Sequence, residues 1–267
     1  IVNPDGSALT NITSDDSSVD QAPAWAPDGN RFAYISATSN PFFSIETFVI
    51  NKDGSGKASL PGVSGGSPPP PIRSDLPNGF WSPVGNKILI KSVVGKTPGV
   101  VAHNLSDGSE ALIAPTFLNF KSIFQGDFEW SSDGNKIVFV SNQDNFLTGG
   151  ALDIYTENAA GTNLLRLTTS SSGTVNRRPT WSPDGSMIAF HRFSGSTNNL
   201  MIMNADGTNQ RMLVPDEVDD SWTPRWSPDS TRVMFGVVSD IGVASDNQIH
   251  LIHIDGTGRV KMSNSPT

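Results

Sequence analysis

Apolar residues in this chain gather in short continuous runs: Phe32-Ala33-Tyr34-Ile35, Ile88-Leu89-Ile90, Ile137-Val138-Phe139-Val140, Ile188-Ala189-Phe190 and Val233-Met234-Phe235. Each lies a few residues after a turn signal, and a continuous run of this kind suits a strand packed on both faces. Each also follows the same five-residue punctuation: Trp25-Ala26-Pro27-Asp28-Gly29, Trp81-Ser82-Pro83-Val84-Gly85, Trp130-Ser131-Ser132-Asp133-Gly134, Trp181-Ser182-Pro183-Asp184-Gly185 and Trp226-Ser227-Pro228-Asp229-Ser230. The seventh and ninth residues after every Trp are large and apolar.

The punctuation has a local cause. Pro presets φ for a turn, Asp bonds back to nearby amides, and Gly takes the positive φ that ends it. A hairpin is therefore predicted after each Trp, with the indole wedged between neighbouring sheets. Val84, Ser132 and Ser230 depart from the pattern, so those turns are expected to be looser. A second mark alternates with the first at Asp5-Gly6, Asp53-Gly54, Asp107-Gly108, Ala160-Gly161, Asp206-Gly207 and Asp255-Gly256, and reads as an outer hairpin. Two alternating hairpins give four strands per repeat. The tryptophans stand 56, 49, 51 and 45 residues apart, at or just above the roughly 40 to 50 residues of a propeller blade.

The phrase from Pro179 to Phe190, followed by Met201-Ile202-Met203-Asn204-Ala205-Asp206-Gly207-Thr208, closely resembles the repeat of TolB-like β-propellers. The resemblance covers nearly the whole chain. It implies an all-β propeller of four-stranded antiparallel blades, a single domain over residues 1–267, and a binding scaffold in the periplasm or outside the cell. Ile1 to Gly6 aligns with Met201 to Gly207 only from mid-strand onward, so the chain is expected to start inside a blade. Six blades, the common number in such propellers, are favoured, with the first incomplete; five is the alternative.

Composition narrows the function. The chain has 267 residues, 36% of them apolar and 16% charged, with 25 Gly, 19 Pro and no Cys. This suits a soluble fold of short strands and tight turns and excludes disulfides and thiolate metal sites. No apolar run reaches the roughly 20 residues of a membrane-spanning helix. A net charge of −8 with scattered Lys and Arg makes nucleic acid an improbable partner.

Motifs that suggest chemistry fall away on inspection. Gly62-Val63-Ser64-Gly65-Gly66 matches a hydrolase nucleophile elbow, but Pro68 to Pro71 follow where a helix is required. Gly54-Ser55-Gly56-Lys57 lacks the spacing of a phosphate loop. His250 and His253, three apart in a predicted strand, face opposite ways, and His103 and His191 stand alone. The acidic loops Asp15, Asp16, Asp20 and Asp216, Glu217, Asp219, Asp220 lack the spacing of a calcium loop. No cofactor is expected, and calcium has no motif behind it. Residues 60–77 form a Gly/Pro-rich insertion stiffened by four prolines. Asn11 and Asn104 head glycosylation sequons.

What remains is a binding surface. The residues five before each Trp, Asp20, Leu76, Gln125, Asn176 and Ser221, are predicted in loops entering the innermost strands, around one mouth of the propeller channel. Arg177, Arg178, Trp222 and Arg225 lie beside them, and Arg and Trp are types in which binding energy concentrates. A protein or extracellular polymer is the expected partner. The alternatives are a propeller serving a hydrolase, peptidase or lyase, and a repeating subunit of an extracellular assembly.

Overall fold

The computed structural model describes residues 1, 5–14, 18–38, 44–60, 81–94, 97–115, 128–145, 151–215, 223–237 and 248–262. All regular elements among them are strands, arranged in two compact units, Ile1–Lys121 and Ser122–Thr267.

The first unit holds a sheet of β1 (Ser18–Trp25), β2 (Arg31–Thr38), β3 (Ser44–Asn51) and β4 (Ala58–Ser59). Its second sheet has β5 (Lys87–Val94), β6 (Thr97–Asn104) and β7 (Glu110–Pro115), with Trp81 bridging Ile88 where the other sheets carry a first strand. The second unit has three four-stranded sheets. They comprise β8 (Phe128–Trp130), β9 (Lys136–Ser141), β10 (Asp153–Asn158) and β11 (Thr162–Arg166); β12 (Thr174–Trp181), β13 (Met187–Ser194), β14 (Thr197–Asn204) and β15 (Arg211–Val214); and β16 (Arg225–Trp226), β17 (Arg232–Val237), β18 (Gln248–His253) and β19 (Val260–Lys261). Within every sheet the strands follow chain order and neighbours run antiparallel. These meanders are the predicted blades, with the Trp motif joining the first two strands and the Asp-Gly turn the last two.

The turn after Trp181 shows why the motif has its composition. Gly185 N donates to Ser182 O at 2.8 Å, and Gly185 sits at φ 72°. Ser182 Oγ donates to Asp184 Oδ1 at 2.6 Å while accepting from Met187 N at 2.9 Å. The serine thus ties the carboxylate to the start of the next strand. The turns expected to be looser close with the same bond: Gly85 N to Ser82 O at 2.8 Å, Gly134 N to Ser131 O at 2.9 Å and Ser230 N to Ser227 O at 2.9 Å. The backbone absorbs the departures, with Ser230 itself taking φ 60°.

The apolar runs become the second strands, and the residues seven and nine after every Trp are buried. In the first unit Ala33, Val49 and Leu60 pack against Trp81, Ile88, Ile90 and Val101 of the next blade. In the second, Val138, Ile154 and Leu167 meet Trp181, Ile188 and Phe190, and Ala189, Leu200 and Ile202 meet Val233, Phe235 and Ile252. Each large side chain so buried contributes about 1.5 to 3 kcal/mol. The wedge is visible where Trp81 Nε1 donates to Ala24 O at 3.0 Å and Trp226 Nε1 to Thr180 O at 3.1 Å, each reaching the preceding blade. Trp25 departs from it. It is 52% exposed, with its ring 3.8 Å from Phe32 of its own sheet.

Candidate functional site

The innermost strands of the second unit, β8, β12 and β16, carry its most distinctive polar chemistry. Two features of sequence shape β12. Pro179 cannot donate to the ladder, and the register against β13 slips between Arg177 and Thr180. Arg178 takes φ 53° at this bulge, an uncommon conformation for a residue with a side chain. β1 repeats the slip between Gln21 and Ala24, around Pro23.

Directly after the bulge, three inner strands are joined through one carboxylate. Glu129 of β8 accepts from the backbone amide of Trp181 at 2.8 Å and from the Thr180 hydroxyl. Arg225 Nη1 of β16 stands 3.8 Å from the other carboxylate oxygen. Burial pushes the Glu129 carboxyl above its ordinary value, and these donors oppose that shift only in part. A carboxylate held by an amide, a hydroxyl and a guanidinium is an anchored acceptor bridging strands.

A second network lies where the third blade meets the fourth. Asp153, fully buried at the start of β10, accepts from Arg166 Nη2 at 2.5 Å, Asn145 Nδ2 at 2.7 Å and Thr168 Oγ1 at 2.7 Å. Burial alone would raise its carboxyl, but these donors and Ser170 outweigh it and hold the group below the usual range. Asn176 Nδ2 reaches Leu152 O at 3.0 Å and Ser170 Oγ at 2.7 Å, and Asn176 Oδ1 accepts from Arg192 Nε at 2.9 Å. Leu152 also bridges Val175 in parallel fashion, so polar and main-chain bonds stitch the two blades.

The residues proposed from sequence fall in different places. Asp20 lies inside β1 in the first unit, half-buried and accepting from Ser18 Oγ at 3.0 Å. Asn176 lies inside β12 and is fully buried in the network above, not in an entering loop. Arg177 and Arg178 flank the bulge, half-buried, and Arg225 is on β16 beside Glu129. The second unit thus brings Asn176, Arg177, Arg178 and Arg225 onto two adjacent inner strands. Gln125, Ser221 and Trp222 lie outside the described residues, as do Leu76, Ser64, the acids other than Asp20, and all but Leu60 of the insertion. Among the described residues no cluster of three or more His, Cys, Asp or Glu could hold a metal. Sequence reasoning missed Glu129 and Asp153. Glu129 had a signal, an acid directly before a motif Trp, where Ala24, Phe80, Thr180 and Arg225 stand in the other copies.

The comparisons with known proteins agree with this architecture. A protein TolB homolog from Chlorobaculum tepidum is 31% identical over 124 residues, 46% of this chain, and the match spans only 26% of that relative's length. Among solved structures, the putative TolB from Agrobacterium tumefaciens superposes with a TM-score of 0.57 at 19% identity, covering 91% of this chain and 80% of that one. The β-propeller domain of the Trilobed protease from Pyrococcus furiosus gives 0.61 at 12% identity, covering 92% and 72%. At these identities the structures speak for the fold alone. The TolB beta propeller domain family matches residues 81–266, well over half of the chain, and its blades, turns and wedged tryptophans are those just described: the chain belongs to that family.

Proposed function

We propose that this chain is a non-catalytic binding propeller that holds a protein partner in the periplasm or outside the cell, through the inner-strand rim around Arg177, Arg178 and Arg225. The observation that carries the reading is the bulge of β12. It keeps Arg178 at φ 53°, a conformation that costs energy and is retained most readily where it serves an interaction. Three guanidiniums on adjacent inner strands, in a chain of net charge −8, suit an acidic segment of a partner. Family membership supports the binding role, while an extracellular polymer is the second ligand class of the same chemistry. Likeness to a protease's propeller domain concerns fold alone and favours no catalytic role. No helix among the described residues is long and apolar enough to cross a membrane.

The test is a double substitution, Arg178→Ala with Trp222→Ala, used as bait in a pull-down from the native extract, with folding checked by thermal melt. Loss of most of the recovered partner is expected. Undiminished recovery by a folded double variant moves the site elsewhere, with the insertion at residues 60–77 next in line.

A further inference from the structure

The carboxylate of Glu129 sits in a receptor made by three other groups of the second unit. In β12, Ser182 N donates across the sheet to Met187 O at 2.9 Å, so the amide one residue earlier, that of Trp181, points the opposite way, off the edge at which this sheet ends. Glu129 Oε2 accepts from that edge amide at 2.8 Å, and the Thr180 hydroxyl donates to the same carboxylate. Arg225 Nη1 stands 3.8 Å from Glu129 Oε1. An amide, a hydroxyl and a guanidinium converging on one position form the donor set that proteins use to take a carboxylate from a ligand.

Joining neighbouring inner strands does not require an acid. Trp81 and Trp226 make the corresponding link with the indole, which donates to the carbonyl of Ala24 and of Thr180. At Trp181 the buried indole Nε1 has no partner among the described residues, and a side-chain carboxylate makes the link instead. Toward Arg225 that carboxylate is held loosely. A guanidinium and a carboxylate paired for strength meet through two bonds of about 2.7 to 2.9 Å. Here one nitrogen lies at 3.8 Å, with the Arg225 side chain 42% exposed and that of Glu129 27% exposed. The pair is open to solvent, so a second carboxylate can approach the guanidinium while the Trp181 amide and Thr180 keep Glu129 in place.

We infer that Glu129 is an internal competitor, a carboxylate of the chain itself that occupies Arg225 where an acidic side chain of the partner docks, and that it thereby sets how tightly the rim engages. The inference rests on the reading of Arg177, Arg178 and Arg225 as a rim for an acidic segment. Binding then exchanges one carboxylate for another at Arg225, and the partner's affinity is lowered by what the Glu129 pair contributes. A ligand without a carboxylate has nothing to exchange, so the competitor also favours acidic ligands over neutral ones.

Fluorescence anisotropy with a labelled hexaglutamate peptide reads the inference on the full chain, for wild type, Glu129→Gln, Arg225→Ala and the double variant, with thermal melts checking that each folds. Glu129→Gln keeps an acceptor for the Trp181 amide and should bind the peptide about twofold to fivefold more tightly than wild type, the contribution of one partly exposed ion pair. In the Arg225→Ala background the same substitution should bring no gain, because the contested guanidinium is gone. An equal gain in both backgrounds is a general effect of removing a negative charge and overturns the inference. So does a Glu129→Gln chain that binds no more tightly than a wild type that does bind. Peptide bound by none of the four proteins overturns the acidic-segment reading of the rim, and the inference falls with it.

Discussion

The backbone amide of Trp181 is held by the carboxylate of Glu129 at 2.8 Å, and the indole Nε1 of the same Trp181, though buried, has no hydrogen-bond partner among the described residues. In Trp81 and Trp226 the indole donates to the carbonyl of the residue just before the preceding motif Trp. At Trp181 that preceding residue is Glu129, whose side chain takes over the strand-to-strand link. Glu129→Ala should therefore orphan the amide of Trp181 and cost about 1 to 3 kcal/mol. Glu129→Gln keeps an acceptor and sheds a buried charge, so urea denaturation should place it within about 1 kcal/mol of wild type.

The motif tryptophans are not equivalent. Trp181→Ala should destabilise by about 3 to 5 kcal/mol, as deleting a buried large aromatic does. Trp25→Ala should cost at most about half as much, because Trp25 is already 52% exposed. Equal losses by denaturant titration would contradict the structure.

Glu157 carries a pH signature. Burial raises its carboxyl from 4.5 to about 7, and its Oε2 has no hydrogen-bond partner among the described residues. Below the ordinary value the acid is neutral in both states and costs nothing. Above it the unfolded chain ionises while the folded one resists, so stability falls as pH rises from 4.5 toward 7. The full effect is about 3 kcal/mol. Glu157→Gln should remove this slope, matching wild type at low pH and exceeding it at neutral pH in melts run across the range.

Asp153 has the opposite sign. Its carboxyl is held low by its donors despite burial, so its contribution is present at neutral pH and is lost as pH falls through its folded value. Asp153→Ala strands Arg166 and should cost about 3 to 5 kcal/mol at neutral pH. Asp144→Asn, at a carboxylate 46% exposed and 3.6 Å from the same Arg166, should cost under about 1 kcal/mol.

Two outer-hairpin glycines separate backbone strain from contact. Gly207 and Gly256 sit at φ +85° and +87°, but only at Gly207 would an added Cβ meet backbone, 2.9 Å from Leu167 O. Both alanine variants bear the conformational cost of about 1 kcal/mol. Gly207→Ala should lose clearly more in a thermal melt, because the Leu167 main chain cannot yield cheaply.

Turns and strand order could be read from the chain because their causes are local. A Ser-Pro-Asp-Gly segment contains its own hydrogen-bond partners, as Ser182, Asp184 and Gly185 show. The burial of the seventh and ninth residues after each Trp follows from strand period alone. The candidate site was legible only in part: Arg177, Arg178 and Arg225 do gather on neighbouring inner strands. Asn176 was read as a rim residue, whereas its side chain is buried and bonds to five residues, Leu152, Asp153, Thr168, Ser170 and Arg192, up to 24 residues away.

The sequence by itself determined that this is a propeller, since each turn motif and each buried run needs nothing beyond its own neighbours. The tertiary structure decided which residues of identical type do different work. Trp25 is exposed and Trp181 buried because burial depends on whether a neighbouring sheet stands against the ring. Glu129 and Asp153 are anchored acceptors because donors from other strands converge on them. Period and turn chemistry repeat along the chain, whereas the packing partner of each face is a property of three dimensions.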